Sequence, residues 1–426
     1  MAATQRDDEL KRQLRARFVG KKLNEVPTPS VVLDLAKLRV NCERMLDATE
    51  RLGLLWRAHI KSHKVLFSFP LFPSAVSRLA AIASSLGPQS LSLMIDNISQ
   101  LSCVAAISAT VPSSHLPLIF LKIDTGYGRA GVVPSSAACE ALIDAALAEE
   151  AKGTCVLHGL YSHAGHSYGA RDDLDAMYYL VDEFAGLARV ARRVRAKSPD
   201  HELVLSVGAT PTTTAVQYPC LFSAGGDAKE RVGMAREVEM IVAELKGGGY
   251  RLEVHAGVYP TLDLQQLATH ARDSSLMTAD DIAISVVAEV ASVYPGRGGN
   301  RTTEALINAG TLALGREPVA DRGEDPDQDY SGWGILMPWG LDNPKPGPDF
   351  PRVHGGWQVG RISQEHGILV WKGRKEEEVP LHFGQRVRVW PNHSCIAGAC
   401  FDYYLIIDSS GPKDEVIDVW PRWRGW

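Results

Sequence analysis

Neither a long apolar run nor a paired-cysteine motif occurs in these 426 residues. A membrane-spanning helix needs about 20 consecutive apolar residues, and no stretch approaches that length. The opening segment MAATQRDDELKRQLRARFVGKKL is charged and lacks the apolar core of a signal peptide. Asp7, Asp8 and Glu9 also interrupt the acid-poor bias of a transit peptide. The closing RWRGW matches no retrieval or peroxisomal signal. The seven cysteines, at 42, 103, 139, 155, 220, 395 and 400, are odd in number and hold no CxxC pair, which suits free thiols in a reducing compartment. The expected location is therefore cytoplasmic. An excess of charge is missing too. Forty-five basic residues against 50 acidic ones leave a net charge of −5, so no general attraction to nucleic acid or to a membrane surface is expected.

What is present is ordinary globular material, with 45% apolar and 22% charged residues, in a chain long enough for two domains. Residues 28–278 alternate short β-branched runs with longer helical stretches. Strand candidates are SVVLDL (30–35), WRAHIK (56–61), SLSLMID (90–96), PLIFLKID (117–124), CVLHGLYSH (155–163), ELVLSVG (202–208), MIVAEL (240–245) and RLEVHAG (251–257). Helical patterns cover 36–52, 73–86, 134–152, 170–197 and 261–271. Such alternation implies βαβ units around a parallel sheet. The number of units favours a closed (β/α)8-type barrel with its chemistry at the C-terminal strand ends, and pattern alone also permits an open doubly wound sheet. Beyond 279 the runs ISVVAEVASVYP, GILVWKG, QRVRVWP and FDYYLIID follow one another without helices, which predicts a mostly antiparallel β domain over 279–426. Residues 1–27 read as a helical N-terminal segment.

Five segments could carry chemistry. RAHIKSHK (57–64) places lysines and histidines on a strand, where partial desolvation lowers an amine's pKa and makes it nucleophilic; the plainer reading is a basic surface strand. IDTGYGRAGV (123–132) contains G-x-G-x-x-G, but in mid-barrel rather than in a first βαβ unit, so Arg129 is better taken as a fixed cation beside an anionic or phenolic group. SVGATPTTT (206–214) and HAGVYPTLD (255–263) are glycine-rich strand ends of the kind that cradle phosphate, although each alone could be a tight turn. In WPNHSCIAGAC (390–400), His393 and Cys395 stand two apart. On a strand they would share a face and could converge on zinc; a buried core pair is the bland alternative. Asn392 opens an N-x-S sequon that is not expected to be glycosylated.

Together these segments resemble the eukaryotic D-serine dehydratases and, more broadly, the D-threonine aldolase group of fold type III pyridoxal-phosphate (PLP) enzymes. The resemblance runs from TPSVVLDL (28–35) to FDYYLIID (401–408). It implies that Lys61 is the Schiff-base lysine, that Arg129 lies beside the cofactor ring, and that Tyr161 and Tyr168 contact the cofactor. Phosphate contacts fall on Gly208, Thr210 and Thr212 and on Gly257 and Val258, the last where the family usually has a polar residue. The zinc pair falls on His393 and Cys395, and SQEHG (363–367) is a further family-like segment. The resemblance also implies a small D-amino acid substrate, a homodimer, and β-elimination of the D-serine hydroxyl to give pyruvate and ammonia. A D-threonine-type aldolase, a 3-hydroxyaspartate dehydratase and a catalytically silent PLP-binding homologue are the competing readings. One departure stands out. Fewer than 30 residues separate Lys61 from SLSLMID, where the family has a further βα unit, so the barrel is expected to lack one unit after Lys64.

Overall fold

A computed structural model of the chain describes residues 2–58, 66–218, 229–272, 276–319, 330–341 and 356–422. The chain forms two compact units, one of residues 45–257 and one joining 1–44 to 258–426. It opens with α1 (Ala2–Phe18), β1 (Ser30–Asp34) and α2 (Leu35–Leu52).

The 45–257 unit carries β2 (Leu55–Ala58), β3 (Leu66–Pro70), β4 (Ser92–Ile95), β5 (Leu118–Lys122), β6 (Val156–Tyr161), β7 (Val204–Val207) and β8 (Arg251–Ala256). Its helices are α3 (Val76–Leu86), α4 (Leu101–Ser108), α5 (Ala137–Ala151), α6 (Asp173–Lys197), α7 (Thr210–Thr214) and α8 (Lys229–Gly247). The seven strands run parallel in the order β2-β8-β7-β6-β5-β4-β3. Their middles are continuous apolar runs because a parallel sheet is covered on both faces; Leu93, Met94, Ile119, Phe120, Leu121, Leu205 and Val254 are fully buried. Side-chain caps start two of the helices. Ser136 accepts from the Cys139 amide at 3.1 Å, and Asp172 accepts from the Asp175 amide at 2.8 Å.

MIVAEL, expected as a strand, lies inside α8. Ala235, Val238, Val242 and Leu245 are its buried positions, and their three- and four-residue spacing is that of a helix face. The short apolar run misled because it was read apart from its flanks.

Seven parallel strands occur among the described residues, one fewer than an eight-stranded barrel has. Only residues 59–65 separate β2 from β3, fewer than the dozen or so that a helical crossover takes. These two strands are the outer members of the sheet order. A flat seven-stranded sheet would hold them about 29 Å apart. Even a fully extended link of this length reaches only about 28 Å, and it must also run back along a strand. The sheet therefore has to curl toward closure.

The second unit adds α9 (Leu264–Ala268), β9 (Ile284–Tyr294), β10 (Glu304–Ile307), α10 (Thr311–Leu314), β11 (Ile335–Leu336), β12 (Trp357–Ile362), β13 (Gly367–Trp371), β14 (Arg386–Trp390), α11 (Ser394–Ala399), β15 (Tyr403–Ile407) and β16 (Asp418–Pro421). Nine strands form one sheet in the order β10-β13-β12-β11-β14-β9-β1-β15-β16. All its pairings are antiparallel except β1 with β15. SVVLDL, expected to begin the parallel barrel, thus belongs to this sheet, with Val32 opposite Ser285 on one side and Leu405 on the other. The N-terminal helix joins it: Leu14 and Phe18 are buried with Leu405, Ile407 and Val419. A local pattern identifies a strand but not its partners, and these lie more than 240 residues away.

Gly159 shows how tightly β6 and β7 approach, since a Cβ there would stand 2.2 Å from the Val204 carbonyl oxygen. Gly159→Ala should destabilise the parallel unit by about 1–3 kcal/mol, seen as a lower thermal midpoint. An unchanged midpoint would contradict the packing described.

Candidate active site

The C-terminal ends of β5 to β8 carry a polar cluster inside an otherwise apolar unit. Lys122, Tyr161, Ser162, Ser206, Glu253, His255 and Glu183 of α6 are each buried to 5% exposure or less. Buried polar groups must be paired, and these pair with one another. Arg57 Nε donates to Glu253 Oε1 at 2.7 Å, and Ser206 Oγ donates to the same oxygen at 2.7 Å. With its one proton so used, Ser206 Oγ accepts from His255 Nδ1 at 2.9 Å, which fixes the imidazole's tautomer. The His255 ring stacks on Tyr161 with centroids 4.2 Å apart and planes 5° from parallel. Lys122 Nζ lies 4.7 Å from the centre of the same Tyr161 ring.

A second set of bonds ties the strand ends to their loops. Ser162 Oγ donates to Glu183 Oε1 at 2.9 Å, Gly208 N–H to the same oxygen at 3.3 Å, and Thr212 Oγ1 to Oε2 at 3.3 Å. His163 Nδ1 meets the Gly208 carbonyl at 2.8 Å. Gly208 has φ +141°, and a Cβ there would fall 2.3 Å from both the His255 carbonyl and Thr213 Oγ1, so the loop presents bare backbone. Thr210, buried, is the first residue of α7. The G-x-G-x-x-G segment forms a turn that Asp124 organises by accepting from the Gly126 and Gly128 amides, each at 3.0 Å. Ile123 then bridges back to Val132 before α5 begins. That turn does not lead straight into a helix, which disposes of the dinucleotide alternative. Arg129 is exposed on the turn, its guanidinium 4.9 Å from the Tyr127 ring centre. Tyr168 is half-buried in the 3-10 turn Gly165–Gly169.

Burial sets the electrostatics. It lowers the Lys122 amine to about 8, helped by the nearby Arg129 and opposed by Glu183, Asp124 and Asp96. It raises the Glu183 carboxyl to about 7 against three hydrogen bonds and Lys122, and pushes the Tyr161 phenol well above its usual value. Sequence reasoning missed Lys122 and Glu183. A lysine within PLIFLKID was the available signal for the first; a glutamate in a charged helix offered none for the second.

Lys61 itself lies outside the described residues. Gly257 closes the first unit just after β8. Val258 opens the next stretch, buried, with its carbonyl accepting from the Leu262 amide at 2.8 Å. The expectation that His393 and Cys395 share a strand face is not met. β14 stops at Trp390, His393 caps α11, and Cys395 is that helix's second residue. The cause is Pro391 followed by Asn392, whose side chain turns inward to the Glu317 and Gly332 carbonyls at 2.9 and 2.8 Å. Asn392 is 2% exposed. His393 Nδ1 bonds Gln265 Oε1 at 2.7 Å, with Asp263 Oδ2 3.7 Å away. That arrangement directs Nε2 outward from the pair, the usual outer-shell support of a metal-bound imidazole. No group of three or more His, Cys, Asp or Glu side chains that could hold a metal ion occurs among the described residues. The six cysteines among the described residues are free thiols. Glu365 and His366 of SQEHG line a separate cavity of about 450 Å³ with Leu306, Asn308 and Leu312. No helix among the described residues is long and apolar enough to cross a membrane.

Two family models match the chain, the alanine racemase N-terminal domain over residues 34–225 and the putative serine dehydratase domain over residues 283–407. The D-serine dehydratase of Schizosaccharomyces pombe is 34% identical over 455 aligned residues, covering 98% of this chain and 96% of that protein. That alignment exceeds the 426-residue chain, so it opens gaps in this sequence. The solved D-threo-3-hydroxyaspartate dehydratase from Delftia sp. HT23 superimposes with TM-score 0.68 at 23% identity, over 95% of this chain and 100% of that one. A cysteine-to-alanine variant of an enzyme of that name, in its metal-free form, gives a TM-score of 0.70 at 23% identity, over 95% of this chain and 100% of that one. The fold is the expected one, an alanine racemase-like α/β unit with a C-terminal antiparallel sheet.

Lys122 provides a direct check on the buried cluster. Its folded pKa lies below the unfolded one, so its stabilising contribution is lost as pH falls from about 10.5 through about 8. The wild-type protein should gain about 3 kcal/mol relative to Lys122→Met between pH 7.5 and 10.5 in urea unfolding. Parallel pH profiles would place the amine in water instead.

Proposed function

Because the chain belongs to the D-serine dehydratase family, we propose that it is a lyase that converts D-serine to pyruvate and ammonia, with PLP carried by Lys61 and zinc held by His393 and Cys395. PLP, when bound, supplies an electron sink for a carbanion at the substrate's α-carbon. Zinc, when bound, supplies a Lewis acid that eases departure of the β-hydroxyl.

The chain's own residues do the rest. Lys61 would hold the cofactor through its amine, and the same amine would accept the substrate's α-proton. Gly208, Thr210 and Thr212 cradle the phosphate, together with the Gly257 and Val258 backbone. Arg129, Tyr161 and Tyr168 fix the ring, and Tyr161 is itself held by the stack on His255. Gln265 and Asp263 orient the His393 imidazole toward the metal. The functional unit in this reading is a homodimer acting on a small D-amino acid in the cytoplasm. The observation that carries the reading is the Gly208 cradle: bare backbone at a strand end, beside a buried polar cluster, suits a phosphorylated aromatic ring.

Protein loaded with PLP and zinc should release keto acid and ammonia from D-serine. The cofactor's absorbance band should vanish in Lys61→Ala. Gln265→Ala should weaken zinc binding about 10–100-fold while leaving that band intact. Glycine plus an aldehyde from D-threonine would assign an aldolase instead, and turnover confined to 3-hydroxyaspartate would move the substrate. No keto acid from any of these substrates would overturn the dehydratase reading.

A further inference from the structure

Glu183 sits behind the loop assigned above to the phosphate, and it already holds two of the donors a phosphate would use. It lies mid-helix in α6 at 1% exposure. Its carboxylate accepts from the Gly208 amide and from Thr212 Oγ1, both at the long distance of 3.3 Å, and from Ser162 at 2.9 Å. Thr212 has one hydroxyl proton and two acceptors in reach, since the Ala209 carbonyl lies 3.2 Å away. Both long bonds can therefore be given up at small loss.

We propose that Glu183 is a positioning residue for the phosphate of the bound ligand: ionised, it keeps the Gly208 N–H and the Thr212 O–H turned inward, and on taking up a proton it releases them to the phosphate. Binding of a phosphomonoester then adds one proton to Glu183 and breaks no covalent bond. The inference rests on the phosphate placement in the function proposed above.

Three considerations support it. A dianionic phosphate and a carboxylate competing for the same donors in a water-poor interior repel each other strongly, and the pair relaxes when the carboxylate is neutralised. Burial has already pushed this carboxyl up to about 7, so the proton comes at little free-energy cost near neutral pH. The groups facing it are few. Lys122 reaches it from β5 and Tyr161 from β6. The loops after β6 and β7 bring the uncharged donors of Ser162, Gly208 and Thr212, with the His163 imidazole on the Gly208 carbonyl and His166 and Tyr168 in the turn Gly165–Gly169. On α8, which packs on the same helix, Arg231 is engaged by Asp173 and Glu244 by Arg192. Lys122 could also take up a proton when an anion binds, so the experiment must tell a carboxyl from an amine.

The full-length protein freed of cofactor is titrated with pyridoxine 5′-phosphate, which carries the phosphate but no aldehyde. Calorimetry in buffers of different ionisation enthalpy counts protons, and infrared difference spectra detect an un-ionised carboxyl by its C=O stretch. The wild type should take up about half a proton at pH 7 and close to one at pH 8, show a new carboxyl band, and lose affinity with rising pH by up to tenfold per pH unit. Glu183→Gln, which keeps the size and the hydrogen-bonding groups, should bind with no such band and with a flatter pH profile. Ser162→Ala removes a donor that favours the ionised form, so the pH at which affinity falls should move upward; this variant serves even if Glu183→Gln fails to fold. A carboxyl band that is absent from the wild type or persists in Glu183→Gln, in protein that still binds PLP with Lys61-dependent absorbance, overturns this inference alone. Failure to bind PLP at all overturns the function reading and this one with it.

Discussion

The structure depends on one requirement: the polar groups at the ends of the parallel strands are removed from water and must satisfy one another. Glu253 answers Arg57 and Ser206, Ser206 answers His255, and Glu183 answers Ser162, Gly208 and Thr212. An unpaired buried donor or acceptor costs about 1–3 kcal/mol, so each member fixes the next. The result is a set of strand ends held rigidly enough to present Tyr161, the Gly208 loop and α7 in one arrangement. The apolar strand centres provide the burial, and the polar ends turn it into a site.

That requirement also bears on the shortened barrel. Losing one βα unit removes a strand, yet the remaining polar cluster draws on Arg57 of β2, Lys122 of β5, Tyr161 of β6, Ser206 of β7 and both Glu253 and His255 of β8. None of these belongs to the interval that has been shortened. β2 still pairs with β8 through Leu55 to Ala58, and β3 with β4. The interval between β2 and β3 adjoins the cluster only through β2, which carries Arg57 and pairs with β8.

Much of this was legible in the sequence. The apolar runs and their spacing located six of the seven parallel strands and the helices α2, α3, α5 and α6, but not α8, because burial on both faces marks a strand more clearly than it marks a half-exposed helix. MIVAEL failed because six residues cannot distinguish a period of two from 3.6. The placement of β1 failed because strand partners are set by contacts hundreds of residues apart. Among site residues, the glycines of the Gly208 loop and the tyrosine at 161 could be named because their chemistry recurs with the motif. Glu183 could not, since its meaning lies in which amides face it. His393 and Cys395 were named as a pair, but Pro391 and Asn392 carry them onto a helix start that strand spacing did not foresee.

The central claim is that Lys61, and not the buried amine of Lys122, holds the cofactor. The most direct test is borohydride reduction of PLP-loaded protein, followed by proteolysis and mass spectrometry of the peptides. The account predicts a single phosphopyridoxyl group on the peptide bearing Lys61, with Lys122 unmodified. A label on Lys122, or no label on either lysine, would contradict it.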